Sequence, residues 1–174
     1  LSLLRIKEHR GQGPLLRIRT IAIAGCTRTR SNLMRKYIEI FISIAFLGYG
    51  LIRLGVGSAL LGQELGIIDF QVFHAPVDEI GMFIAKSSER QIIPLSVSTY
   101  VGYIALMGLV LSIGALGVLR KLPSGLFLIG VFIVMYALLF VNFQTINPKA
   151  IHLAVCAILF CVLLWLKAAR NGVA

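Results

Sequence analysis

Acidic residues are scarce: Asp and Glu total seven in 174 residues, and all charged types together make up 14%. A soluble domain carries roughly a quarter charged residues, so this chain is too poor in charge for a water-exposed globule. Three cysteines give no disulfide framework. Cys26 lies among basic residues near the start, while Cys156 and Cys161 sit about 140° apart around a helix axis at 3.6 residues per turn. Both of the latter read as small apolar residues of a membrane helix. No nucleophile elbow, Walker loop, HExxH or CxxC is present, and the glycines fall at helix-packing spacing. Paired charges inside an apolar run are lacking as well, which disfavours a pump or an ion-coupled transporter. No internal repeat or low-complexity tract stands out.

What the chain does have is hydrocarbon. Apolar residues make up 58%, and the mean hydropathy is +0.91. Four apolar runs, at about 37–61, 99–119, 125–143 and 150–166, approach the roughly 20 residues that a helix needs to cross a bilayer. The first and second are rich in small residues, among them Gly48, Gly50, Gly55, Gly57, Gly102, Gly108 and Gly114, which let helices approach closely. The fold class expected is all-α, an antiparallel four-helix transmembrane bundle spanning residues 34–174.

The net charge of +10 looks at first like a nucleic-acid signal. Its distribution argues otherwise. Seven of the 17 basic residues precede Met34; from Met34 onward there are ten basic and six acidic residues, a net of +4. A nucleic-acid partner needs a basic face in water, so none is expected. Residues 1–33, with no sustained period and Glu8 as their one acid, read as a basic tail without regular structure, a transit-like peptide, or sequence upstream of a start at Met34. Arg35, Lys36, Arg120, Lys121, Lys167 and Arg170 fall at one set of span ends, and Lys86, Arg90 and Lys149 at the other. The excess of Lys and Arg marks the cytoplasmic side, so both termini are expected in the cytoplasm, with a bacterial inner membrane as the location.

Residues 62–98 form the longest connection and hold five of the seven acids. Within it, Ala75-Pro76-Val77-Asp78-Glu79 reads as a helix start, with Pro in the first turn and acids near the positive end. Val77, Ile80, Phe83 and Ile84 then recur at helical spacing, which predicts a short amphipathic helix in the membrane interface. Asp69, His74, Asp78 and Glu79 are residue types that suit a divalent ion. Their spacing matches no metal motif, and no metal site is expected there.

Two features point to a site. Arg53 interrupts the first span, and an ionisable residue inside a membrane is a functional-site hypothesis by default. Counting 1.5 Å per residue from Lys36 puts it about 25 Å along the helix, near the outer edge of a core about 30 Å thick. The alternative is that it snorkels to lipid phosphates. The second feature is the polar turn at 142–152, NFQTINPKAIH, between two nearly pure hydrocarbon runs. Together, Arg53, Asn142, Gln144, Asn147 and His152 would surround one outer pocket with a cation, an imidazole and amide groups, suited to a quinone or lipid head group or a small anion. The structural alternative is that the polar groups of the turn cap helix ends and bond to one another.

Phe46-Leu47-Gly48-Tyr49-Gly50-Leu51-Ile52-Arg53-Leu54 resembles the first-helix signature of the DoxX-like family, small four-helix membrane proteins. There a bulky apolar residue, a Gly and a basic residue three positions on close the first span. Gly50 and Arg53 are the matching positions, with Arg53 where the family more often has Lys. The long acidic connection and the NPKAIH turn have no counterpart in that pattern. The resemblance implies a compact four-helix bundle and, since some members are quinone-linked subunits of sulfur-oxidising enzymes, adds weight to a quinone or to a partner subunit. The functional expectation is thus an accessory or binding subunit in the lipid bilayer with a quinone or lipid site and no catalytic residue of its own. The alternatives are a membrane subunit of a quinone-linked oxidoreductase, or a scaffold docking a larger complex or a second copy.

Overall fold

The structure, a computed structural model, describes the backbone of residues 14–144 and 150–170 and the side chains of residues 33–144 and 150–169. Among these the chain forms five helices and no strand: α1 (Pro14–Glu64), α2 (Gln71–Ser87), α3 (Val97–Leu119), α4 (Ser124–Phe143) and α5 (Ala150–Arg170). Four stretches are long and apolar enough to cross a membrane: Leu33–Glu64, Val97–Leu119, Ser124–Phe143 and Ala150–Ala169. Helices are what such sequences must form, because hydrocarbon offers nothing to an unpaired backbone N–H or C=O. The protein is accordingly an all-α transmembrane bundle.

The chain divides into two compact units, Leu1–Ile38 and Glu39–Ala174. In the first, the backbone is helical from Pro14, where the sequence reading expects an irregular tail. Pro14 suits a first helical position, and the Leu, Arg and Ala residues that follow are good helix formers. Residues 1–13 lie outside the described residues.

In the second unit, the bundle interior collects Ile42 and Phe46 from α1, Met107, Leu111 and Ala115 from α3, Ile129, Phe132 and Tyr136 from α4, and Cys156 and Leu163 from α5. Glycines set the helix spacing. An added Cβ at Gly50 would stand 2.6 Å from Ser112 Oγ, and one at Gly57 would stand 2.8 Å from the Ala105 nitrogen. At Gly108 it would overlap the Leu54 nitrogen. α1 and α3 are therefore antiparallel and in near backbone contact. The α3–α4 turn brings Gly117 against Gly125 in the same way. It closes with Leu122 N–H donating to Gly117 O at 2.8 Å and with Lys121 in the left-handed region at φ 60°.

α2 departs from expectation at its start. It begins at Gln71, so Pro76 falls inside the helix and not in its first turn. One backbone hydrogen bond is lost at the proline. The earlier start is held by packing and by Gln63: its Oε1 accepts from Phe70 N–H at 2.9 Å, Phe70 and Phe73 meet edge to face at 6.1 Å, and Phe73 joins the apolar cluster of Leu60, Tyr100, Val101 and Phe143. Val77, Ile80, Phe83 and Ile84 lie on that same cluster. The face expected to be apolar is indeed the one that packs.

Candidate functional site

Arg53 turns inward. Its guanidinium carbon lies 4.2 Å from the centre of the Tyr136 ring, 5.1 Å from Tyr49 and 5.8 Å from Phe132, with Nη1 3.9 Å from Met107 Sδ. A cation over aromatic faces at these distances is held by the negative face of each ring. Tyr49 is one turn before Arg53, where a helical side chain leans. The side chain is half-buried. Among the described residues no carboxylate pairs with it. A guanidinium carries five N–H donors, and one thioether with three ring faces leaves most of that capacity for another acceptor.

Its level in the bundle follows from the glycine contacts. With Gly50 against Gly108 and Ser112, and Gly57 against Ala105, Arg53 is level with Leu109, halfway along α3. The end of α3 at Leu119 is level with Ser43. Ten residues separate Ser43 from Arg53, about 15 Å of helix. Arg53 thus lies beside the middle of α3, a helix long enough to cross a core about 30 Å thick. Snorkelling is answered by the same geometry, since the side chain points into rings and not along the helix to an interface.

The polar turn is used otherwise. Asn142 is a tie: its Oδ1 accepts from Ile93 N–H at 2.8 Å, its Nδ2 donates to Ile93 O at 3.2 Å, and its backbone O accepts from Ile92 N–H at 3.2 Å. Gln144 ends α4 in the left-handed region at φ 47°, its N–H donating to Phe140 O at 3.0 Å. His152 is exposed in the first turn of α5. Asn147 lies outside the described residues. Among the described residues no hydrogen bond or ion pair joins Arg53 to Asn142, Gln144 or His152.

The residues missed by sequence reasoning are Tyr49, Met107, Phe132 and Tyr136. Tyr49 and Tyr136 both face the guanidinium, so two phenols accompany the cation. A signal for Tyr49 was present in its i, i+4 spacing to Arg53. Met107, Phe132 and Tyr136 come from other helices and left none.

In the connection before α2, His74 Nε2 lies 2.8 Å from Asp69 Oδ1, and Gln63 Nε2 donates to the same carboxylate at 3.3 Å. The Gln63 hydrogen bond first, then the bond to and the charge of His74, hold the Asp69 carboxyl below its usual range. Among the described residues no three His, Cys, Asp or Glu side chains gather as metal ligands.

Fold and site together define a class: an integral membrane four-helix bundle with an arginine inside its first span that faces three aromatic rings. Comparison with models of known families, with curated proteins and with solved structures found no match.

Proposed function

We propose that this chain is a small DoxX-like membrane subunit that binds the polar head of a quinone or lipid at Arg53. It would lie in a bacterial inner membrane with both termini in the cytoplasm. The observation that carries the reading is Arg53 itself, a cation beside the middle of α3 that faces Tyr49, Phe132 and Tyr136 with no carboxylate partner among the described residues. A charge at that depth costs about 2.5–3.5 kcal/mol by insertion scales. Cation–π contacts return about 2 kcal/mol when desolvated, and a bound acceptor would supply the rest. A cation, two phenol hydroxyls and flat aromatic faces suit a carbonyl oxygen on a ring, or a phosphate. A quinone, when bound, supplies two-electron redox capacity. The residues here would hold and orient it. The orientation rests on the grouping of Arg120, Lys121 and Lys167 against Lys86 and Arg90.

A second reading, docking to a larger membrane complex or a second copy, is favoured by Gly48 and Gly55. Neither has an atom within 4 Å of where its Cβ would stand, so α1 keeps a second small-residue face open.

The test is native mass spectrometry of the full chain released gently from its own membrane. A reproducible adduct of quinone or lipid mass, lost in Arg53→Ala, supports the head-group reading. An adduct equally retained in Arg53→Ala, or a wild-type chain that carries detergent alone, overturns it. Co-release with a larger subunit, lost in Gly48→Leu, supports docking.

A further inference from the structure

Away from Arg53, a cavity of ≈ 310 Å³ opens on α3 and α4 at the α2 end of the bundle. Ile92, Ile93, Tyr103, Leu138, Val141 and Asn142 are among its lining residues. Its roof, residues 92–95, is wired in place. Beyond the three bonds of Asn142, Gln91 Nε2 donates to Ile84 O at 3.4 Å and Gln91 Oε1 accepts from Leu95 N–H at 3.1 Å. The polar atoms nearby are thus engaged with one another, and the Tyr103 hydroxyl is turned away to donate to Met135 O at 2.9 Å. What remains to meet an occupant is hydrocarbon. The volume is at the small end of ligand pockets, which run about 300–1,000 Å³, room for a chain segment and not for a large head.

Two observations choose the occupant. α3 and α4 are long and apolar enough to cross a membrane, and Leu138 and Val141 are exposed on them, so the groove opens toward acyl chains. Its rim is basic. Phe83 packs on Phe143 with ring centres 5.2 Å apart, which sets the last turn of α2 at the end of α4, beside Asn142. From there the chain carries Lys86 and Arg90, both exposed, into the roof, and Glu89 between them leaves a net charge of one.

We propose that this groove holds one acyl chain of an anionic phospholipid, with its phosphate at Lys86 and Arg90. The site rests on α3 and α4 crossing the membrane and is independent of the Arg53 reading. Asn142 and Gln91 are positioning residues here, because they hold the roof and leave the lining to hydrocarbon.

The experiment is native mass spectrometry of the full chain titrated with phosphatidylglycerol or phosphatidylcholine of identical acyl chains. One net positive charge near an anionic lipid predicts a preference of about fivefold for phosphatidylglycerol. Lys86→Gln with Arg90→Gln, both at exposed positions, abolishes that preference. Val141→Trp fills the groove and lowers retention of both lipids. Equal retention of the two lipids by the wild-type chain overturns the proposal, as does a preference that survives the double substitution. Loss of lipid in Arg53→Ala but not in Val141→Trp overturns it too, by assigning the lipid to the arginine.

Discussion

Replacing Gly108 by Ala is the sharpest test of how α1 is seated. The new Cβ would overlap the backbone nitrogen of Leu54 and stand 2.8 Å from Gly50 O and 2.9 Å from Leu54 Cα. All three are backbone atoms of α1, so no rotamer change relieves the contact and the two helices must separate. Overpacking of this kind costs about 1–3 kcal/mol, and the upper part of that range applies where backbone is the obstacle. Ala returns about 1 kcal/mol through its better helix propensity. The net expectation is a loss of about 1–2 kcal/mol. Gly48→Ala is the internal control, since nothing lies within 4 Å of its Cβ position; it should gain about 0.5–1 kcal/mol. Equilibrium unfolding of the full chain in mixed micelles, with increasing dodecyl sulfate mole fraction, reads both. A Gly108→Ala chain at least as stable as Gly48→Ala would refute the α1–α3 contact. If Gly48→Ala loses as much as Gly108→Ala, the outer face of α1 is not open.

Other outcomes follow from single contacts. Lys121 holds a left-handed conformation at φ 60°, so Lys121→Gly should stabilise the α3–α4 turn by about 0.5–1 kcal/mol in the same unfolding assay; destabilisation would mean that the lysine side chain matters more than its backbone. Asp69 has a carboxyl held below its ordinary value of 3.8, first by Gln63 and then by His74. A depressed folded pKa contributes stability that is present above the unfolded value and lost as pH falls through the folded one. The Phe70 amide resonance, reporting the Gln63 contact, should therefore hold steady down to about the unfolded value of 3.8 and shift below it, and Asp69→Asn should remove that titration. A shift centred well above 3.8 would contradict the arrangement.

Much of this protein could be read from local composition. A helix crossing hydrocarbon must be apolar along its whole length, so the four crossing stretches announce themselves without any knowledge of their neighbours. The apolar face of α2 was equally plain, because Val77, Ile80, Phe83 and Ile84 need only helical spacing to share a side. Its first residue was not: Pro76 looks like a start, yet contacts of Phe73 and Gln63 with other segments carry the helix back to Gln71. The intramembrane charge was visible as a break in an apolar run, while its level against α3 was not, because that register is set by packing between the two helices.

The tertiary structure decided the site. Tyr49 is near Arg53 in the chain, but Phe132 and Tyr136 are brought to it by packing of α4, and no local pattern encodes which ring a guanidinium will meet. Conversely, Asn142, which reads as a ligand because it is polar among hydrocarbon, is consumed by backbone groups at Ile92 and Ile93, 49 residues away from it in the case of Ile93. Composition determined that the chain lives among lipids and that one cation lies within them. Which way that cation turns, and which polar groups stay free, depends on pairings between distant segments that arise only when the helices meet.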